Sequence, residues 1–232
     1  LRGASRSDRY GLHVAYLDEQ LSPQTSVEGV SHVELSDMDD EDVGQARDRL
    51  SALATKDSFP GAVAVPGVGI FGLGADIDAA RANARAASSE IAVARISSSA
   101  NANKTPRDVL RDAVAAVTGG AQGFGEQIVR LLADAGCTVF VVDLNEDGAT
   151  QLCADLNDTA GKTVAIPVAA NVTDEDSVAS MAHRFVAEAG GLDLFISNAG
   201  VLKAGSVKEM DLASFEFVTS VNYTGYFLGV KH

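Results

Sequence analysis

Thr118-Gly119-Gly120-Ala121-Gln122-Gly123-Phe124-Gly125 lies between an apolar, strand-like run at residues 113–117 and a sequence with helical periodicity. Glycines at these spacings let the chain turn sharply and bring its backbone close to a ligand. The free N–H groups and the positive dipole end of the following helix attract an anion. The stretch therefore predicts a strand, a turn that holds the pyrophosphate of a dinucleotide, and a helix. The inner face of that helix is predicted to consist of Ile128, Leu131, Leu132 and Ala135.

An acidic residue follows the next predicted strand, residues 138–142, where the strand's carboxyl end meets the crevice. The carboxylate of this residue, Asp143, can accept both hydroxyls of the adenosine ribose. It would repel a 2′-phosphate, and no Lys or Arg stands in the glycine loop or directly after Asp143, where Leu144 follows. We therefore expect NAD rather than NADP, and we include Leu144 in the predicted site. The alternative is that Asp143 merely ends a strand.

Strands and helices alternate regularly to the end of the sequence. Two further strands are predicted at 163–168 and 192–196, one helix begins at Thr173 with its hydroxyl as cap, and a last helix begins at about Leu212. The inner face of the Thr173 helix is predicted to be Val178, Met181, Phe185 and Val186. This pattern predicts an α/β fold with a doubly wound parallel sheet of Rossmann type in the order 3-2-1-4. Such a sheet should continue past strand four, so we expect it to be incomplete.

A polar segment without apolar periodicity divides the chain, and it sets three predicted regions: 1–96, a linker at 97–107, and 108–232. The first region is predicted to be a small α/β segment with strands at 12–17, 30–35 and 62–66 and helices at 42–54 and 77–94. Residues 67–72 also spell G-x-G-x-x-G. No second strand ending in an acidic residue follows that motif, so we favour a close-packed strand-to-helix turn over a nucleotide site.

Composition limits the class of partner. The 232 residues carry a net charge of −14, which disfavours nucleic acid and anionic membranes because both present phosphate. Cys137 and Cys153 lack CxxC spacing, the four histidines lack metal-ligand spacing, and no apolar stretch is long enough to span a bilayer. We expect a soluble cytoplasmic protein with buried cysteines and no metal site.

Four ordered matches resemble the short-chain dehydrogenase/reductase family, and they are the glycine loop, Asp143, Asn198-Ala199-Gly200 and Asn222-Tyr223-Thr224-Gly225. The resemblance implies hydride transfer between a nicotinamide and the carbon of an alcohol or carbonyl, and a homo-oligomer at full length. It implies that Asn171 and Val172 flank the adenine, where the family usually has Asp-Val. The predicted cofactor-binding residues are Thr118, Gly119, Gly123, Phe124, Gly125, Asp143, Leu144, Asn171, Val172, Asn198, Ala199 and Gly200. Asn222 corresponds to the family's catalytic asparagine.

The family's catalytic Ser and Tyr-x-x-x-Lys have no counterpart in these residues, because none of the four tyrosines has a lysine four positions later. We therefore expect a fragment or one piece of a split protein that has no turnover by itself. The alternatives are a non-catalytic nucleotide-binding or split subunit that needs a partner chain, and a truncation product without function.

The upstream region resembles another family more weakly. Residues 65–72 and the Ala/Arg-rich helix after them resemble the end of the class II aldolase part of bifunctional aldolase/short-chain dehydrogenases. The resemblance implies an aldolase-like tail over 1–96 and an enzyme of sugar breakdown.

Overall fold

The computed structural model describes residues 13–17, 27–33, 48–50, 52–53, 58–65, 69–89, 96–97 and 110–232. These residues form two compact units. The first unit comprises residues 1–112 with 186–191, and the second comprises 113–185 with 192–232. Most of the predicted linker and of the predicted helix at 42–54 lies outside the described residues, although residues 48–50 are helical.

The first unit contains a four-stranded sheet and a helix. In chain order its elements are β1 (His13–Leu17), β2 (Val30–His32), β3 (Ser58–Phe59), β4 (Ala62–Val65), β5 (Gly69–Gly74), α1 (Ile77–Ser88) and β6 (Ile96–Ser97). The sheet order is β1-β5-β4-β2, in which only the β2–β4 pair is parallel, and β3 pairs with β6. Of the predicted helix at 77–94, Ile77–Ser88 is helical, and residues 90–94 lie outside the described residues.

The second glycine motif was wrongly predicted as a strand-to-helix turn. Gly67 and Val68 lie outside the described residues, while Gly69 to Gly72 belong to β5, which pairs antiparallel with β4. A side chain at Gly72 would collide with the Ala80 carbonyl of α1. Gly72 therefore serves a close approach of strand and helix, and the glycine pattern gave no sign that residues 69–72 form a strand antiparallel to β4.

The second unit is a parallel sheet with helices. Its elements are β7 (Val114–Thr118), α2 (Gly123–Asp134), β8 (Thr138–Asp143), α3 (Glu146–Ala160), β9 (Ala165–Ala169), α4 (Glu175–Ala189), β10 (Leu194–Ser197), α5 (Leu212–Thr219), a π-helical turn (Ser220–Thr224) and α6 (Gly225–Lys231). The sheet order is β10-β7-β8-β9 with every pair parallel, which confirms the predicted α/β fold and the order 3-2-1-4.

The core of this unit lies around its two central strands. All of β7 is buried, and so is β8 up to Val142. Phe140 of β8 packs against Phe185 of α4 with ring centroids 4.8 Å apart. Strand β10 is only half-buried. The sheet is therefore anchored at its centre, and its β10 side is less well covered.

Two predicted core residues are exposed. Leu131 is 69% exposed because the buried stripe of α2 follows Gly125 and Val129, spaced one turn apart. Val186 is 53% exposed because it lies about 100° around the helix from the buried Phe185. Among the described residues, no helix has the length and apolar character to cross a membrane.

Candidate cofactor site

A pocket of about 630 Å³ opens at the carboxyl edge of the parallel sheet. Volumes of this order are typical of small-molecule and cofactor sites. The loops after all four strands of the sheet line it, and two residues from the last helices complete it. The lining residues are Gly119, Gln122, Gly123, Phe124, Gly125, Val142, Asp143, Leu144, Ala170, Asn171, Val172, Thr173, Asn198, Ala199, Gly200, Val201, Phe217 and Val221.

The glycine loop has the geometry of a phosphate cradle. Gly119 has φ +64° and Gly123 has φ +58°, so both adopt the left-handed region that side chains disfavour. A side chain at Gly125 would collide with the Gly119 carbonyl oxygen. Helix α2 begins here, and its N-cap residue Gln122 makes no side-chain capping hydrogen bond. The loop thus lies close against the helix start, whose N–H groups and dipole favour an anion.

Asp143 connects two of the loops. Its Oδ2 accepts a hydrogen bond from the Ala121 N–H at 3.0 Å, and its Oδ1 accepts one from the Asn145 N–H at 2.9 Å. The backbone reinforces this connection, because the Gly120 N–H donates to the Val142 carbonyl at 3.1 Å. Each carboxylate oxygen keeps a further lone pair for a ligand. Asp143 therefore does more than end a strand, since it fixes the glycine loop and faces the pocket.

Asp143 is also the only charged residue among those that line the pocket, and no lysine or arginine is among them. Leu144 beside it is 76% exposed, and Val172 on the facing loop meets Gly225 of α6 closely. The ring of Phe124 is 84% exposed. The backbone N–H of Phe124, rather than its ring, is therefore the group suited to an anion.

Thr118 occupies a different place from the predicted one. It is 1% exposed and does not line the pocket. Its Oγ1 accepts hydrogen bonds from the N–H groups of Asn198 and Ala199, at 3.0 and 3.1 Å. The Asn198 side chain returns two hydrogen bonds, from Nδ2 to the carbonyls of Thr118 and Gly119. Thr118 thus joins the loop after β10 to the glycine loop, and its side chain does not face the pocket.

Asn171 shapes the loop after β9. Its Oδ1 accepts hydrogen bonds from the N–H of Thr173 at 3.0 Å and from the Thr173 hydroxyl at 2.8 Å. The prediction that Thr173 caps α4 is therefore wrong, because its hydroxyl is engaged with Asn171. Asp174 performs the capping instead, accepting the Ser177 N–H at 2.8 Å.

Asn222 lies in the π-helical turn and holds the loop after β10. Its Oδ1 accepts the Val201 N–H at 2.8 Å, and its Nδ2 donates to the Val201 carbonyl at 2.9 Å. Both polar groups of the side chain are thereby used on the backbone, and Asn222 is not among the lining residues. Single π-turns within helices are frequent at functional sites. In this structure the Asn222 side chain therefore positions the loop after β10.

Several residues of the site were missed by sequence reasoning. Gln122 stands within the glycine motif and could have been included on that signal. Phe217 and Val221 reach the pocket from the last helices, about 100 residues away along the chain, and no local pattern indicates it. No group of three or more His, Cys, Asp or Glu in the described ranges is arranged to hold a metal ion.

Known proteins resemble a little more than half of the chain. Short-chain dehydrogenase reductase 4 of Arabidopsis thaliana is 39% identical over 127 residues, which are 54% of this chain and 41% of that protein. Cis-4-hydroxycyclohexanecarboxylate dehydrogenase of Sinomonas cyclohexanicum is 38% identical over 126 residues, covering 54% of this chain and 49% of that protein. Xanthoxin dehydrogenase of Arabidopsis thaliana is 35% identical over 136 residues, covering 58% and 48%. The chain spans about half the length of these curated relatives.

A solved structure agrees with them. A short-chain type dehydrogenase/reductase from Mycobacterium marinum is 29% identical, with a TM-score of 0.50, over 53% of this chain and 47% of the other. Residues 113–232 match the sequence model of the family described as short chain dehydrogenase. With its glycine loop, its parallel sheet and this match over half its length, the chain belongs to the short-chain dehydrogenase family of oxidoreductases.

Proposed function

We propose that residues 113–232 bind the dinucleotide NAD, and that the complete site oxidises an alcohol or sugar-derived hydroxyl, or reduces the corresponding carbonyl. The observation that carries the proposal is the glycine loop held beside the Asp143 carboxylate at one edge of the pocket. The loop suits a pyrophosphate, and the carboxylate suits a ribose with free hydroxyls.

The strand order supports one arrangement of the proposed cofactor along the sheet edge. The loops follow one another along the sheet edge in the order β9, β8, β7, β10. With the pyrophosphate on the loop after β7 and the ribose at Asp143, the adenine lies over Asn171 and Val172. The nicotinamide then lies on the opposite side, near Asn198, Ala199 and Gly200. All of the site residues predicted from the sequence line the pocket except Thr118 and Asn222. We assign these two residues to positioning the loops.

The preference for NAD over NADP rests on charge. Asp143 would face a 2′-phosphate, and none of the lining residues offers a compensating cation. An ionised carboxylate and a phosphate in adjacent positions repel each other even when partly solvated. The proposed site therefore binds the cofactor that lacks the phosphate.

The cofactor supplies or accepts the hydride, and a proton must be moved by an acid or base of the protein. The 232 residues contain no tyrosine with a lysine four positions later. We therefore propose that this chain binds the dinucleotide without turning over an alcohol by itself. The relatives named as dehydrogenases of a hydroxycyclohexanecarboxylate and of xanthoxin support a hydroxyl or carbonyl as the reacting group. We also propose that residues 1–96 have an aldolase-like origin, that the protein is cytoplasmic, and that it assembles into a homo-oligomer at full length.

A non-catalytic or split subunit is the second candidate. Aromatic side chains on the last helices are more than half exposed, at Phe215, Phe217, Tyr226 and Phe227. A partner chain that completes the β10 side of the sheet would cover such a surface. Under this second function the dinucleotide would still bind, and a defined heteromer would form.

NADH binding tests the primary proposal. The fluorescence of NADH is measured as increasing amounts of protein are added. The proteins compared are the parent chain, Gly125→Ala and Gly205→Ala. We expect saturable binding by the parent and by Gly205→Ala, since a methyl group at Gly205 meets nothing closer than 3.9 Å. Gly125→Ala should lose binding because its methyl group enters the space of the Gly119 carbonyl. An absence of NADH binding by the folded parent would overturn the proposal.

A further inference from the structure

The Asn171 side chain has a fixed orientation. The Thr173 backbone N–H can only donate, so the Asn171 oxygen must face it, and the amino group must lie on the opposite side of the amide. The Thr173 hydroxyl occupies the same oxygen from a second direction. No hydrogen-bond partner for Nδ2 occurs among the described residues. The edge of Asn171 that remains for a ligand is thus a hydrogen-bond donor.

The position of Asn171 places this donor beside a base, an argument that rests on the function proposed above. Asn171 follows β9, and Asp143 follows β8 between it and the glycine loop. The Ala170 N–H donates to the Asp143 carbonyl at 3.1 Å, so the two loops are directly connected. Leu144, Val172 and Asn171 line the pocket on this side. A base attached to a ribose at Asp143 would therefore lie between Leu144 and Val172, with its polar edge toward Asn171.

We propose that Asn171 makes this pocket tolerant of 6-oxo purines. Adenine carries an amino donor at position 6, whereas a 6-oxo purine such as hypoxanthine or guanine carries an acceptor there. The Asn171 amino group can donate to that acceptor, or to N1 of adenine. A carboxylate at the same position would offer an acceptor instead, which pairs with the 6-amino group and repels the 6-oxo group.

The test compares two reduced dinucleotides, NADH and reduced nicotinamide hypoxanthine dinucleotide, by fluorescence titration. The quantity is the ratio of the dissociation constant of the hypoxanthine form to that of the adenine form. It is measured for the parent, for Asn171→Asp and for Gln127→Glu. Asn171→Asp keeps an oxygen for the two donors of Thr173, and a thermal melt checks that it folds. Gln127→Glu makes the same amide-to-carboxylate change on an exposed residue of α2 outside the pocket lining.

We expect a ratio within about threefold of one for the parent, and a rise of about tenfold in Asn171→Asp, in the range of single-base discrimination. The general effect of the added charge weakens both dinucleotides alike and cancels in the ratio. Gln127→Glu adds the same charge outside the pocket lining, so its ratio should match that of the parent. An equal ratio in Asn171→Asp and parent, with NADH still bound, would overturn this inference and leave the proposed function intact. A parent chain that binds neither dinucleotide would overturn both.

Discussion

Replacement of Asp143 by alanine should weaken NADH binding and remove the discrimination against NADPH. The carboxylate accepts backbone hydrogen bonds from Ala121 and Asn145, and we propose that it also accepts both ribose hydroxyls. Hydrogen bonds to charged groups contribute about 1.5–3 kcal/mol each. Because Asp143 is partly exposed, water offsets part of that loss. We therefore expect the dissociation constant of NADH to rise by roughly tenfold to a hundredfold.

Asp143→Ala should improve the binding of NADPH relative to that of NADH. Two unit charges about 5 Å apart repel by about 3 kcal/mol at an effective dielectric constant of about 20. This corresponds to roughly a hundredfold preference for NADH in the parent, less at high salt. Asp143→Ala removes the repulsion, so the ratio of the two dissociation constants should fall to within about fivefold of one. Asp143→Arg should reverse it.

The assay is a titration of both reduced dinucleotides at two salt concentrations. Asp147→Ala is the matched control, because Asp147 is an exposed acid in the first turn of α3 and does not line the pocket. A thermal melt without ligand establishes that each variant is folded. If Asp143→Ala binds both dinucleotides as the parent does, or if the parent prefers NADPH, the assigned role of Asp143 is refuted.

Three further outcomes are expected. Asn222→Asp should lower the free energy of unfolding by about 1–2 kcal/mol, because its carboxylate cannot donate to the Val201 carbonyl; urea denaturation beside Gln127→Glu checks this, and equal stability would contradict the positioning role. The hydrogen bond from Lys231, and then that from His232, hold the pKa of Glu175 below its ordinary 4.5. The stability they contribute is present above that ordinary value and is lost as the pH falls through the lowered pKa. An NMR titration should show Lys231→Ala raising the pKa of Glu175, and an unchanged value would exclude the ion pair between Lys231 and Glu175. Burial raises the pKa of the Cys153 thiol to about 12, so a thiol reagent at pH 8 should label it only after unfolding; rapid labelling of the folded chain would show the thiol to be accessible.

The sheet of the second unit was predictable because its information is local. Each strand is a short apolar run, each turn carries glycine or a polar residue, and parallel pairing follows from the intervening helices. The pocket was predictable for the same reason, since it lies where those strands end. The sequence alone therefore indicates that the glycine loop and Asp143 lie at one edge of the sheet, and both line the pocket.

The failures have a different physical origin, because they depend on competition between partners. The Thr118 hydroxyl accepts a hydrogen bond from the backbone N–H of Asn198, 80 residues later, and the glycine motif did not indicate this contact. Thr173 and Asp174 can both cap a helix. The Thr173 hydroxyl donates to the Asn171 side-chain oxygen instead, and Asp174 is the residue that caps α4. In the first unit, glycines that signal a turn in one context permit close helix packing in another. In each case the residue type allows several interactions, and the tertiary structure determines which of them forms.

If NAD binds as we propose, cofactor preference and loop shape are coupled through the Asp143 side chain. A change that admits a 2′-phosphate must remove the Asp143 charge, yet the same carboxylate holds the Ala121 N–H of the glycine loop. Asparagine would keep one oxygen, so it can accept from Ala121 or from Asn145 but would turn its amino group toward the other donor. Alanine or arginine leaves both N–H groups without this acceptor. A switch to NADP that preserves affinity therefore needs two changes in this chain, one that removes the charge and another that supplies a new acceptor for the loop.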